Sequence, residues 1–169
     1  DFQEFMIVPV GAGSFREALR CGAEVYRALG QLLAERSLNT NVGDEGGFAP
    51  SLPSNQDAMD LTLQAIARAG YKPGRDCFLA LDAAASEFFH EGHYFLRREG
   101  AEYTAEELVA FYHQWGKSYP LLSLEDGLAE DDWNGWAVLQ RTLGQKVQLV
   151  GDDLYVTNMT RIRSGMEMK

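Results

Sequence analysis

The spacing of apolar positions along this chain switches several times between the period of a strand and that of a helix. Residues 2–8, Phe-Gln-Glu-Phe-Met-Ile-Val, form a short apolar and aromatic run stopped by Pro9, which predicts a strand. From Ser14 the spacing becomes helical. Phe15, Ala18, Leu19, Gly22, Val25, Tyr26, Leu29, Leu32 and Leu33 recur at intervals of three and four, and Ser14 with Glu17 predicts a capping box. Residues 39–53 are rich in Gly, Asn, Asp and Pro and read as a long loop. Asn55 is expected to cap a second helix, with Met59, Leu63 and Ile66 on one face and Gly70 at its stop. Residues 78–81 predict a strand. Thr104 and Glu107 predict a capping box before a helix whose stripe is Leu108, Phe111, Tyr112 and Trp115. Strands are predicted at 121–124 and 147–150, a helix at 133–143 closed by Gly144, and a last helix capped by Asn158.

The later strands are almost wholly apolar and do not alternate, as expected of strands covered on both faces in a parallel sheet. Repeated strand–helix units leave two α/β architectures open, a doubly wound sheet or a (β/α) barrel. A whole barrel takes about 250 residues, so these 169 would hold part of one. No repeat, low-complexity run or Pro/Ser linker predicts an internal domain boundary.

Charge narrows the function. Fifteen basic against 25 acidic residues give a formal charge of −10, which argues against binding nucleic acid or an anionic membrane surface. No apolar stretch approaches the roughly 18 residues of a membrane span. An anionic substrate would require an added cation. Cys21 and Cys77 lack metal-type spacing and are expected to be reduced, partly buried thiols. The start, Asp1-Phe2-Gln3-Glu4, has neither an initiator Met nor a secretory signal, and predicts a fragment or processed chain.

Three predicted strands end in a carboxylate: Asp82, Glu125 and, after Val150-Gly151, Asp152. In a parallel barrel those ends form one rim, where active sites are built. A single such residue is more simply a helix cap or the start of a turn. Three together would repel one another unless bridged, and hard oxygen donors suit Mg²⁺. Residues 41–50, Asn-Val-Gly-Asp-Glu-Gly-Gly-Phe-Ala-Pro, leave two readings open: a solvated Gly-rich turn, or a mobile lid carrying a general acid or base. Gln3-Glu4 between aromatics is unusual, because a half-buried Glu needs a partner; were Glu4 near Glu45, repulsion and burial would raise one pKa. Gly11-Ala12-Gly13 lacks the third glycine of a dinucleotide fingerprint and reads as a turn. His90 and His93 lack a third ligand and read as surface residues, and His113 as structural. Residues 130–132 read as a helix N-terminus.

Taken in order, several long motifs carry a resemblance over the whole chain: Phe-Gln-Glu-Phe-Met-Ile-Val-Pro-Val-Gly-Ala from residue 2, Gly-Ala-Glu-Val-Tyr from 22, residues 41–50, Leu-Asp-Ala-Ala-Ala-Ser-Glu-Phe from 81, Ser-Leu-Glu-Asp from 123, Glu-Asp-Asp-Trp from 130, and Val-Gly-Asp-Asp-Leu-Tyr-Val-Thr-Asn from 150. The sequence resembles the enolase (phosphopyruvate hydratase) family. That resemblance implies a partial TIM-like (β/α)8 barrel of the enolase type, with an early antiparallel strand and later parallel β/α units. Residues 1–169 would then be an incomplete C-terminal barrel domain. The implied reaction is Mg²⁺-dependent dehydration of 2-phospho-D-glycerate to phosphoenolpyruvate in glycolysis. Asp82, Glu125 and Asp152 match the metal ligands, Glu45 the general acid and Glu4 the carboxylate supporting it. Gln3, Glu4, Glu125 and Asp152 fall at substrate positions. Gly127 stands where many relatives have Pro, and Met159 is a similar departure.

The resemblance also implies a cytoplasmic homodimer or larger homo-oligomer of the full-length protein, with cell-surface display as a secondary location. Its Lys base would lie beyond Lys169, so residues 1–169 alone are expected to be inactive. A sugar-acid dehydratase or racemase of the same superfamily is the alternative enzyme, but would not be expected to pair the 41–50 loop with residues 2–5. A non-catalytic binding role for an enolase-like chain is the alternative outside enzymes.

Overall fold

The structure, a computed structural model, describes residues 1–168, and the chain forms two compact bodies. The first, Glu4–Leu79, contains β1 (Glu4–Val8), α1 (Phe15–Glu35), α2 (Asn55–Arg68) and the start of β2 (Phe78–Asp82), which is β1's neighbour in the sheet. Helix α1 begins where Ser14 Oγ accepts the Glu17 N–H at 3.3 Å. The Glu17 carboxylate pairs with Arg20 at 2.7 Å, and only the Ser14 half of the predicted capping box is made. The cap of α2 is Ser54, which accepts the Asp57 N–H at 3.1 Å; Asn55 is the buried first helical residue. A hydroxyl in extended backbone one position earlier takes the role that the sequence reading gave to Asn55.

The two helices bury Val25, Ala28 and Leu33 on α1 and Met59, Ala65 and Ile66 on α2. At their exposed edge Arg68 grips Glu35 through two hydrogen bonds of 2.6 and 2.5 Å. The Cys21 and Cys77 thiols are free, buried and 3.2 Å apart. Burial, then the hydrogen bond with Cys21, pushes the Cys77 thiol up to about 12. A thiol this reluctant to ionise is a poor nucleophile.

The second body, residues 1–3 and Ala80 onward, holds the rest of β2 and a short 3-10 helix at Ala85–Phe88. Then come β3 (Phe89–His90), β4 (His93–Leu96), β5 (Ala101–Tyr103), α3 (Ala105–Ser118), β6 (Leu121–Glu125), α4 (Trp133–Leu143), β7 (Gln148–Val150) and α5 (Met159–Met168). Strand order is β2-β6-β7, and β6 and β7 are parallel, with Glu125 opposite Val150. Strands β3, β4 and β5 form a separate antiparallel sheet that the spacing of apolar residues does not predict. These strands have only two to four residues, too few for a period to register. Glu91 and Gly92, both at positive φ, turn β3 into β4, and Tyr94 and Leu96 point into the core.

Thr104 and Glu107 form the reciprocal capping box of α3 that the sequence predicts, and Gly144 closes α4. Asn158 caps α5, its Oδ1 accepting the Thr160 N–H at 2.9 Å. Phe2 is clamped among Phe88, Phe111, Tyr112 and Trp115, with ring centroids 5.7–6.3 Å away. The architecture is α/β, with antiparallel strands preceding parallel ones and no closed barrel among the described residues.

Candidate active site

In the second body three carboxylates stand at consecutive strand ends. Asp82 is the last residue of β2 and Glu125 the last of β6; Asp152 lies two residues beyond β7. The backbone fixes their neighbourhood: the Ala83 N–H bonds the Glu125 carbonyl at 3.0 Å, and the Asp126 N–H bonds the Val150 carbonyl at 3.0 Å. Apolar residues such as Leu81 and Leu124 hold the strands in the core, so the first polar positions past them emerge at one edge.

The chain is strained at each of these ends. Ala84 (φ 45°) follows Asp82 by two residues, and Asp126 (φ 42°) follows Glu125 directly. Val156 (φ 39°) and Thr157 (φ 57°) close the turn that Asp152 opens. β-branched residues are especially disfavoured in the left-handed region, and such strain concentrates at functional sites.

The side chains have defined tasks. Asp82 Oδ1 accepts the Ala84 N–H at 2.9 Å, the turn-forming task that the simpler reading foresaw, and Oδ2 accepts from Gln3 Nε2 at 3.3 Å. Gln3, a substrate position by resemblance, therefore orients a candidate ligand in this structure. As donors, three carboxylates at one sheet edge fit a hard divalent cation such as Mg²⁺. Yet among the described residues no three His, Cys, Asp or Glu side chains draw together closely enough to hold a metal ion. The strand ends bring the three residues to one edge of the sheet.

The sequence reading passed over Asp126. Only 3% exposed, it accepts the Asp153 N–H at 2.9 Å and the Leu154 N–H at 3.4 Å, pinning the turn that begins at Asp152. Burial raises its carboxyl above the usual range, against the pull of those backbone donors. The available signal was an Asp-Gly pair directly after an apolar strand.

In the first body, residues 41–49 fold back on themselves: Gly43 N–H to Gly47 O at 2.9 Å, Gly46 N–H to Gly43 O at 3.0 Å, and Ala49 N–H to Asn41 O at 2.8 Å. The segment is a tight turn braced by its own backbone, with Gly46 at φ 82° supplying the left-handed step and Asp44 and Glu45 exposed at its tip. Glu45 reaches Glu4 of β1. Burial, the charge of Glu45 and a hydrogen bond between the two carboxyl groups raise the Glu4 pKa. This is the pairing that the Phe-Gln-Glu-Phe run suggested.

The weaker candidates keep local tasks. His90 and His93 sit near Glu91 and Glu102 on the surface. Asp132 caps α4 through the Gly135 N–H at 3.0 Å and accepts from the buried Tyr94 hydroxyl at 2.8 Å. Among the described residues no helix is long and apolar enough to cross a membrane.

Residues 1–169 match the family described as enolase, C-terminal TIM barrel domain. The chain belongs to the enolase C-terminal TIM barrel domain family.

Proposed function

We propose that this chain is the barrel part of an enolase that dehydrates 2-phospho-D-glycerate to phosphoenolpyruvate with Mg²⁺. The observation that carries the reading is the placement of Asp82, Glu125 and Asp152 at consecutive strand ends of a chain matched throughout by this family. These three residues would hold the cation. When bound, Mg²⁺ offsets the negative charge that develops beside a carboxylate as its neighbouring proton leaves.

The chain's own groups account for proton donation. Hydroxide is a poor leaving group and departs readily only when protonated. Glu45 is the donor in this reading, and Glu4, whose pKa is raised by burial and by the neighbouring Glu45 carboxylate, is the group beside it. Gln3 steadies Asp82 through its amide. A cytoplasmic, glycolytic homo-oligomer is part of the same proposal and rests on the resemblance alone.

The test is phosphoenolpyruvate formation by the full-length protein from 2-phosphoglycerate, with and without Mg²⁺. Turnover is expected with the metal and should fall at least about 100-fold in Glu45→Gln. A metal-loaded protein that leaves 2-phosphoglycerate untouched but racemises or dehydrates a sugar acid overturns the substrate assignment.

A further inference from the structure

Helix α1 holds the Gly-rich turn through three contacts that its sequence pattern does not require. The Tyr26 hydroxyl donates to the Gly46 carbonyl at 2.9 Å, one peptide from Glu45. Its ring stacks on Phe48, with centroids 4.3 Å apart and planes 16° from parallel. One helical turn later lies Gly30, where an added Cβ would stand 2.9 Å from Phe48 Cζ. Tyr26 and Gly30, four residues apart, share one face of α1. Tyr26 is 42% exposed, so water could satisfy its hydroxyl and the core does not depend on it. A bond that folding does not demand, aimed at the peptide beside a candidate acid, is better explained by placement of that acid.

We propose that Tyr26 is a positioning residue, holding the 41–50 turn so that the Glu45 carboxylate stays in register with Glu4. Phe48 is the plate against which Tyr26 stacks, and Gly30 leaves the space for it. The catalytic consequence rests on the reading of Glu45 as proton donor. The placement itself does not.

The experiment compares wild type, Tyr26→Phe and Tyr26→Leu in the full-length protein. Tyr26→Phe keeps the stack and loses the hydroxyl; Tyr26→Leu loses both. In amide hydrogen exchange, segments covering residues 43–48 are expected to exchange about threefold faster in Tyr26→Phe and about tenfold faster in Tyr26→Leu, with α2 unchanged. Elimination from 2-phosphoglycerate should slow about tenfold in Tyr26→Phe, with KM within about twofold. Exchange of the substrate's C2 proton with solvent precedes the acid's task and should remain within about twofold of wild type. Proportional loss of elimination and C2 exchange marks a general structural defect and overturns the proposal. So does unaltered amide exchange across 43–48. If wild type does not act on 2-phosphoglycerate, the dehydratase reading fails, and amide exchange alone decides whether Tyr26 holds the turn.

Discussion

Replacing Asp126 should loosen the turn that carries Asp152, and the size of the effect follows from two separable causes. Asp126→Ala leaves the Asp153 and Leu154 N–H groups without their acceptor. Orphaning a buried donor costs about 1–3 kcal/mol, and the 3.4 Å bond to Leu154 adds little beyond the 2.9 Å bond to Asp153. Alanine must also adopt φ 42°, where a Cβ costs about 1 kcal/mol and Asp is better tolerated. The expected loss is about 2–4 kcal/mol. Asp126→Gly removes the acceptor but relieves the backbone, and should be about 1 kcal/mol less damaging than alanine. Asp126→Asn keeps an acceptor oxygen and left-handed tolerance, and should cost about 1 kcal/mol. Urea unfolding gives the ranking, and amide exchange at residues 153 and 154 locates it. If Asp126→Ala loses under about 1 kcal/mol with exchange at those amides unchanged, the buried carboxylate does not hold the turn.

Two further outcomes follow from local geometry. Asp132→Ala removes the α4 cap and takes the acceptor from the Tyr94 O–H, whose oxygen still accepts from the Ala129 N–H, for about 2–4 kcal/mol; Tyr94→Phe should absorb part of that loss in a double-mutant cycle, and strict additivity would refute the shared bond. Glu4 binds its proton more tightly folded than unfolded, so its contribution is fully present below its unfolded pKa near 4.5 and is lost as pH rises through the raised folded value. Glu4→Gln should therefore raise the melting temperature relative to wild type at pH 7 and leave it nearly unchanged at pH 4. An equal shift at both pH values would contradict the pairing.

What the amino-acid order determined unaided is whatever nearest neighbours decide. The Thr104–Glu107 box, the Trp133–Leu143 helix with its Gly144 stop and the Asn158 cap depend on groups within four residues of one another. So does the position of Asp82 and Glu125 as the carboxylates that end their strands. Ser54 shows the limit of that legibility, since two adjacent side chains were both competent caps and backbone geometry chose between them. Tertiary structure alone decided the contacts between distant segments. It brought Glu45 to Glu4, laid Tyr26 against the Gly-rich turn, buried Asp126 beneath the Asp152 turn and assembled β3–β5 from strands too short to show a period. Each of these owes its energy to burial and to hydrogen bonds across loops, which exist only once the chain has closed on itself.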